Sequence, residues 1–128
     1  MNETMMESAM VNNNEKLAKT LNLKPITKQR SKDLNTIYKW ISNNQNKSIL
    51  LSVMAGSICF DVEMKNGYRI NEGGGIDDIE LIDNITENSY HIMLFSSDIK
   101  YTTDQSKMEF EADFQLETDE AIIIFMFV

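Results

Sequence analysis

Cys59 and His91 are the only cysteine and the only histidine of this 128-residue chain, and they are its first candidates for chemistry. A thiol nucleophile needs a nearby base, and His91 is the only imidazole that could supply one. Both residues fall within predicted strands, where cysteine usually acts as a small hydrophobic residue and histidine is held structurally. A catalytic pair is therefore poorly supported, and we expect a protein that is not an enzyme.

The sequence also lacks a strong motif for binding metal or phosphate. The sequence contains no HExxH, no CxxC and no calcium-loop spacing. Asp77 with Asp78, or Asp98 with Asp104, could offer two carboxylates to a cation, but a solvated loop is the better explanation for them. Residues 73–75 are three glycines without the GKS/T ending of a phosphate cradle. We predict no metal and no other cofactor.

The charge of the chain is unevenly distributed. Twelve basic and 20 acidic side chains give a net charge of −8. Residues 1–48 carry eight basic and four acidic side chains (+4), whereas residues 49–128 carry four basic and sixteen acidic ones (−12). Such asymmetry indicates either complementary layers within one fold or two faces offered to different partners.

The amino-terminal part is predicted to be helical. We expect a flexible arm over residues 1–12 and one α+β domain over residues 13–128, helical over 13–47 and a β meander over 48–128. Asn14 can cap a short helix over 15–21, and Ser31 can cap a second helix over 31–43. The second helix carries a buried stripe at the spacing i, i+3, i+4, i+7, formed by Leu34, Ile37, Tyr38 and Ile41.

From Ser48 onward the hydrophobic period changes to two, which is typical of strands. Residues 58–64 alternate, which predicts a half-buried strand. A three-residue turn over 65–67 would pair this strand with residues 68–70, with Met64 opposite Tyr68. This hairpin places Gly67 in the left-handed conformation. Residues 76–85 fit a strand better than a helix, and residues 90–95 predict a strand buried on both faces.

The last two predicted strands are residues 107–116, which alternate strictly, and the apolar run of eight residues at 121–128. Pairing Leu116 with Ala121 places the apolar residues of both strands on one face. Because the run is apolar throughout, its second face must be covered by helices or by a second subunit. That face carries the residues of a predicted oligomer interface: Ile122, Ile124, Met126 and Val128.

These elements predict an α+β fold, with one or two N-terminal helices packed on an antiparallel sheet of five or six strands. The C-terminal strand is central or lies at an oligomer interface. Residues 1–10 lack the positive start of a secretory signal, and the longest uncharged apolar stretch, 49–60, is shorter than the roughly 20 residues of a membrane span. We therefore expect a soluble cytoplasmic protein that does not contact a membrane.

The acidic sheet suggests the function. Strict alternation would align Glu109, Glu111 and Asp113 on one strand face, and neighbouring strands could add Asp61, Glu63 and Glu80. An acidic surface of this kind suits a protein partner with a basic surface. The sequence thus favours a non-enzymatic protein-binding module, such as an inhibitor or immunity-type factor of a phage or mobile element.

Two alternatives remain. The segment 16–32 is basic and has a weak helix-turn-helix pattern, which would bind nucleic acid, although a net charge of −8 disfavours it. The second alternative is a structural homodimer or larger homo-oligomer through the apolar face of residues 122–128.

Overall fold

The helix of the fold starts earlier than its sequence predicts. A computed structural model describes residues 27–95 and 98–128, so the predicted arm 1–12 and helix 15–21 lie outside the described residues. Helix α1 spans Lys28–Asn43 and is capped by Thr27, whose hydroxyl accepts a 3.1 Å hydrogen bond from the Arg30 amide. Ser31 is therefore in the first turn instead of at the cap. The stripe is confirmed, with Leu34, Ile37 and Ile41 buried and Tyr38 half-buried.

Eight strands follow in the described part of the chain. They are β1 (Ile49–Ala55), β2 (Ile58–Met64), β3 (Tyr68–Ile70), β4 (Asp78–Asp83), β5 (Ser89–Met93), β6 (Lys100–Thr102), β7 (Phe114–Glu117) and β8 (Ile122–Phe127). One sheet has the order β2-β1-β8-β7-β6 and the other β3-β4-β5, and all pairings are antiparallel. The protein is an α+β fold with two sheets, and its strands do not follow a simple meander.

The hairpin predicted between β2 and β3 does not form, although its turn is correct. Gly67 has φ +76°, and its amide donates to the Met64 carbonyl at 3.1 Å. The next residue turns away, because the Tyr68 amide donates to the Gln45 carbonyl at 2.7 Å. The side chain of Gln45 then accepts from the Ile70 amide at 3.1 Å. The loop after α1 thus forms hydrogen bonds with β3. This strand pairs with β4 and is the first strand of the second sheet.

The apolar C-terminal strand is central, which is one of the two positions predicted for it. β8 lies between β1 and β7, so both of its edges are hydrogen-bonded. Leu116 faces Ile123 instead of Ala121, a shift of two residues that keeps the predicted faces. We call the face of this sheet that packs on α1 the inner face, and the opposite one the outer face.

The strand predicted over 107–116 is wrong except for its end. Gln105–Lys107 form a 3₁₀ turn, and regular pairing begins only at Phe114. Residues 108–113 cross the outer face, where the Glu109 amide donates to the Gln115 side chain at 3.2 Å. Phe110 of this segment lines a cleft together with Ile122 of β8, and the next outer-face residue of β8, Ile124, is 5% exposed. The second face of β8 is thus covered partly by the chain itself.

The core lies between α1, the inner face and the second sheet. Trp40 of α1 stacks on Phe114 with ring centroids 4.5 Å apart and meets Phe125 edge-on at 5.4 Å. The second sheet contributes Ile79, Leu81 and Ile92 to the same cluster. The prediction that residues 90–95 are buried on both faces is wrong, because β5 is an edge strand and exposes Met93.

Candidate protein-binding surface

The six acidic residues predicted to bind a partner do not form one row. Asp61 and Glu63 lie on β2, at the edge of the outer face, and both are exposed. Glu109 and Glu111 are exposed on the segment that crosses the same face. The aligned row of residues 109, 111 and 113 is therefore wrong, because residues 108–113 are not a strand.

The other two acidic residues have structural partners. Asp113 is half-buried, and its carboxylate accepts a 2.7 Å hydrogen bond from the Phe127 amide. Glu80 lies on β4 of the second sheet and accepts from the Asn71 amide group at 2.7 Å. That hydrogen bond is the main reason why the pKa of Glu80 is lowered. Neither residue belongs to the surface formed by Asp61, Glu63, Glu109 and Glu111, which we call the acidic face.

The outer face carries charges of both signs at its β6 edge and carboxylates at its β2 edge. At the β6 edge, Lys100 lies opposite Glu117 on β7, so the two signs are mixed. At the β2 edge, the Asp61 carboxylate accepts a 2.5 Å hydrogen bond from the neutral Ser52 hydroxyl. Within residues 27–95 and 98–128, no lysine or arginine forms an ion pair with any residue of the acidic face.

A cleft of about 450 Å³ adjoins the acidic face, where the β1–β2 and β7–β8 turns meet. Met54, Ile122 and Phe110 give it apolar walls, and Asp119 and Glu120 bring two carboxylates to its lining. The sequence did not identify this cleft. Phe110 lines it only because residues 108–113 leave the sheet, which strict alternation does not indicate.

Cys59 and His91 are not brought together. Cys59 is exposed on β2 beside the cleft, whereas His91 lies on β5 of the second sheet. The imidazole Nδ1 is 2.9 Å from the Asp78 carboxylate and Nε2 is 3.2 Å from the Glu80 carboxylate. The hydrogen bond with Asp78 is the largest cause of a raised His91 pKa. Among the described residues, no group of His, Cys, Asp and Glu is arranged to hold a metal ion.

Most of the basic segment 16–32 lies outside the described residues. Lys28 and Lys32 are exposed on the first turns of α1. Arg30 is half-buried, and its guanidinium donates to the Leu94 carbonyl. Burial lowers the Arg30 pKa, and the nearby carboxylates of Asp98, Asp77 and Asp119 oppose this effect. Arg30 therefore connects the basic helix with the acidic loops inside the fold.

The residues predicted to form an oligomer interface differ in exposure. Ile124 is 5% exposed, Ile122 and Met126 are half-buried, and Val128 is 62% exposed. Larger apolar exposure occurs on β2, where Ile58 is 66% and Phe60 is 51% exposed. Alternation predicted that residues 58–64 are half-buried, but only Met64, at the far end of β2, is fully buried.

Comparison of the chain with models of known protein families, with curated proteins and with solved structures finds no match. Within residues 27–95 and 98–128, no helix has the length and apolar character that crossing a membrane requires. Because no comparison finds a match, only the fold and the surface define the class of protein. It is an α+β domain with an acidic, partly apolar outer face.

Proposed function

We propose that the protein is a non-enzymatic binding module that captures a protein partner with a basic surface and blocks it, as an inhibitor or immunity-type factor does. One observation carries the proposal. The four carboxylates of the acidic face are exposed, and no basic side chain of the described residues pairs with them. Uncompensated charge of one sign accelerates encounter with an oppositely charged surface and disfavours acidic partners.

The cleft beside the acidic face supports the same partner chemistry. Lysine and arginine bury their aliphatic stems on apolar surface while their charged ends reach polar groups. The apolar walls formed by Met54, Ile122 and Phe110 fit such a stem, and Asp119 and Glu120 can accept hydrogen bonds from its charged end. A basic side chain of the partner would thus anchor in the cleft while the acidic face contacts the surrounding surface.

The proposal is tested by neutralising the acidic face without changing its shape. The test variant combines Asp61→Asn, Glu63→Gln, Glu109→Gln and Glu111→Gln. Partners are captured from an extract of the source cells on immobilised wild type and on the variant, identified by mass spectrometry and purified. We expect the purified partner to bind the variant about tenfold or more weakly by calorimetry, since each lost contact between close charges weakens binding.

A matched control removes equal charge elsewhere. Glu72, Glu87, Asp33 and Asp98 lie away from the acidic face, and their amide variants together remove the same charge. The control should retain the affinity of wild type, and higher salt should weaken both complexes. A partner that binds the acidic-face variant as tightly as wild type contradicts the proposal, and so does a partner with an acidic binding surface.

A further inference from the structure

β2 is the longest edge strand in the described part of the chain. It spans seven residues and pairs with β1 in an unbroken register, from Ile49 opposite Met64 to Ala55 opposite Ile58. The remaining edge strands are β6 and β3, with three residues each, and β5, with five. Alternate residues of a strand direct their amide and carbonyl groups to opposite sides, so half of the β2 backbone groups point away from β1.

Natural proteins usually protect such an edge by a proline, by charged side chains (lysine above all), by a bulge, by keeping the strand short or by covering it. β2 contains neither proline nor lysine, and its pairing with β1 shows no bulge. β6, at the opposite edge of the same sheet, is short and contains Lys100. The charged side chains of β2 are the carboxylates of Asp61 and Glu63, which oppose an acidic strand but not a basic one, so the edge is able to accept a basic strand.

The side chains of β2 define what that strand would carry. The strand register places Ile58 and Phe60 on the inner face, and both are exposed there. Asp61 and Glu63 are exposed on the outer face. Because directly opposite residues of paired strands share a face, an added strand would place apolar side chains beside the first pair and basic side chains beside the second.

A second copy of the chain fits this edge less well than a basic segment does. Each chain carries a net charge of −8, so two copies repel each other. Any register that joins two β2 strands with their apolar residues on one face also brings Asp61 and Glu63 of both copies to the other. Charge complementarity therefore selects a partner segment that contains lysine or arginine.

We propose that β2 is a docking edge that receives an extended partner segment by strand addition, with apolar residues alternating with lysine or arginine. This proposal rests on the proposed function, because it names the backbone site at which the basic partner is held. Main-chain hydrogen bonds provide affinity, and the alternating side chains of β2 provide specificity.

The test uses the full chain and a fluorescent synthetic peptide, as long as β2, that alternates valine with lysine. A second peptide has the same side chains but carries an N-methyl group on every backbone amide, so that it keeps its charge and neither of its edges can pair as a strand. We expect the methylated peptide to bind about tenfold more weakly by fluorescence anisotropy. The unmethylated peptide should slow amide exchange at β2 without slowing it at β6.

Matched variants locate the site. Ile58→Thr with Phe60→Thr should weaken binding of the unmethylated peptide, because threonine keeps the strand but removes apolar contact. Ile85→Thr with Met93→Thr replaces two similarly exposed apolar residues, one in the turn after β4 and one on β5, which are 55% and 56% exposed, and should leave binding unchanged.

The outcomes separate this proposal from the proposed function. Equal binding of both peptides overturns strand addition, whereas charge-dependent capture by the acidic face still stands. The same holds if neither peptide binds while the purified partner remains sensitive to the acidic-face variant. Slow exchange at the outward-pointing amides of β2 in the protein alone means that the edge is already occupied and also overturns the proposal, as does a dimer whose dissociation restores fast exchange at those amides.

Discussion

The Tyr68 hydroxyl donates a 2.7 Å hydrogen bond to the backbone carbonyl of Ile41, which joins the start of the second sheet to the last turn of α1. Tyr68 is fully buried, and this burial raises its pKa. The neighbouring Gly67 lies against Gln45, so two consecutive residues contact the end of the helix. This junction separates the two sheets and leaves β2 as an edge strand.

Replacing Tyr68 by phenylalanine tests the junction. The variant keeps the buried ring and removes only the hydroxyl, so we expect about 1 kcal/mol lower unfolding free energy in urea. The Ile41 carbonyl still accepts a longer hydrogen bond, of 3.4 Å, from the Asn44 amide, which limits the loss. Tyr38→Phe, at a half-buried position on the same helix, is the control and should change stability little. Equal effects of the two variants would show that the hydrogen bond contributes nothing.

Gly67→Ala should disrupt the same junction more strongly. An added Cβ would lie 2.2 Å from the Gln45 carbonyl oxygen, and the backbone has φ +76°. Gly56 has φ +60° with open space around it, so Gly56→Ala isolates the backbone strain. We expect the control to cost roughly 1–2 kcal/mol and Gly67→Ala to cost more, because its backbone must also move. The two midpoints of thermal unfolding measure the difference, and coinciding midpoints would contradict the close contact.

Much of the fold follows from local pattern, but strand pairing does not. The stripe of Leu34, Ile37 and Ile41 predicted α1, and the apolar run at 121–128 predicted a central strand. The partner of β3 was predicted wrongly, because it depends on hydrogen bonds that Gln45, distant in sequence, accepts from the Tyr68 and Ile70 amides. The alternating pattern also predicts the same burial for the apolar residues all along β2, although α1 covers only part of the inner face.

The sequence predicts an acidic surface, but it does not indicate which of the predicted acidic residues lie together in the fold. The acidic character of residues 49–128 follows directly from composition. Asp113 instead binds the Phe127 amide, and Glu80 binds Asn71 and His91. Both assignments depend on contacts between residues far apart in the chain. The cleft and the exposure of the apolar residues Ile58 and Phe60 depend on how the elements pack, so no pattern in the sequence indicates them.

His91 provides a pH-dependent prediction. Contacts with Asp78 and Glu80 raise its pKa above 6.5, so the protonated form favours the folded state. This stabilisation is fully present below the unfolded-state pKa and is lost as the pH rises through the folded-state pKa. As the only histidine, His91 gives a single NMR titration, whose midpoint should lie above 6.5.

The contribution of Asp78 can be separated in the same experiment. Asp78→Asn removes the carboxylate that contributes most, so the midpoint should fall towards 6.5, while Asp61→Asn on the other sheet should leave it unchanged. Added salt should reduce the shift, because the cluster is exposed. A wild-type midpoint at or below 6.5 would contradict the contacts around His91.

Phe125 and Phe60 lie on the same face of the same sheet but should differ in their effect on stability. Phe125 is fully buried on β8, between Leu51 and Phe114, whereas Phe60 is 51% exposed on β2. Phe125→Ala should cost about 3–5 kcal/mol through lost contact and a cavity. Phe60→Ala should change stability by about 0.5 kcal/mol. Urea unfolding monitored by the fluorescence of Trp40, the only tryptophan, measures both. A large loss for Phe60→Ala would mean that β2 is covered in the folded chain, and would argue against its role as a docking edge.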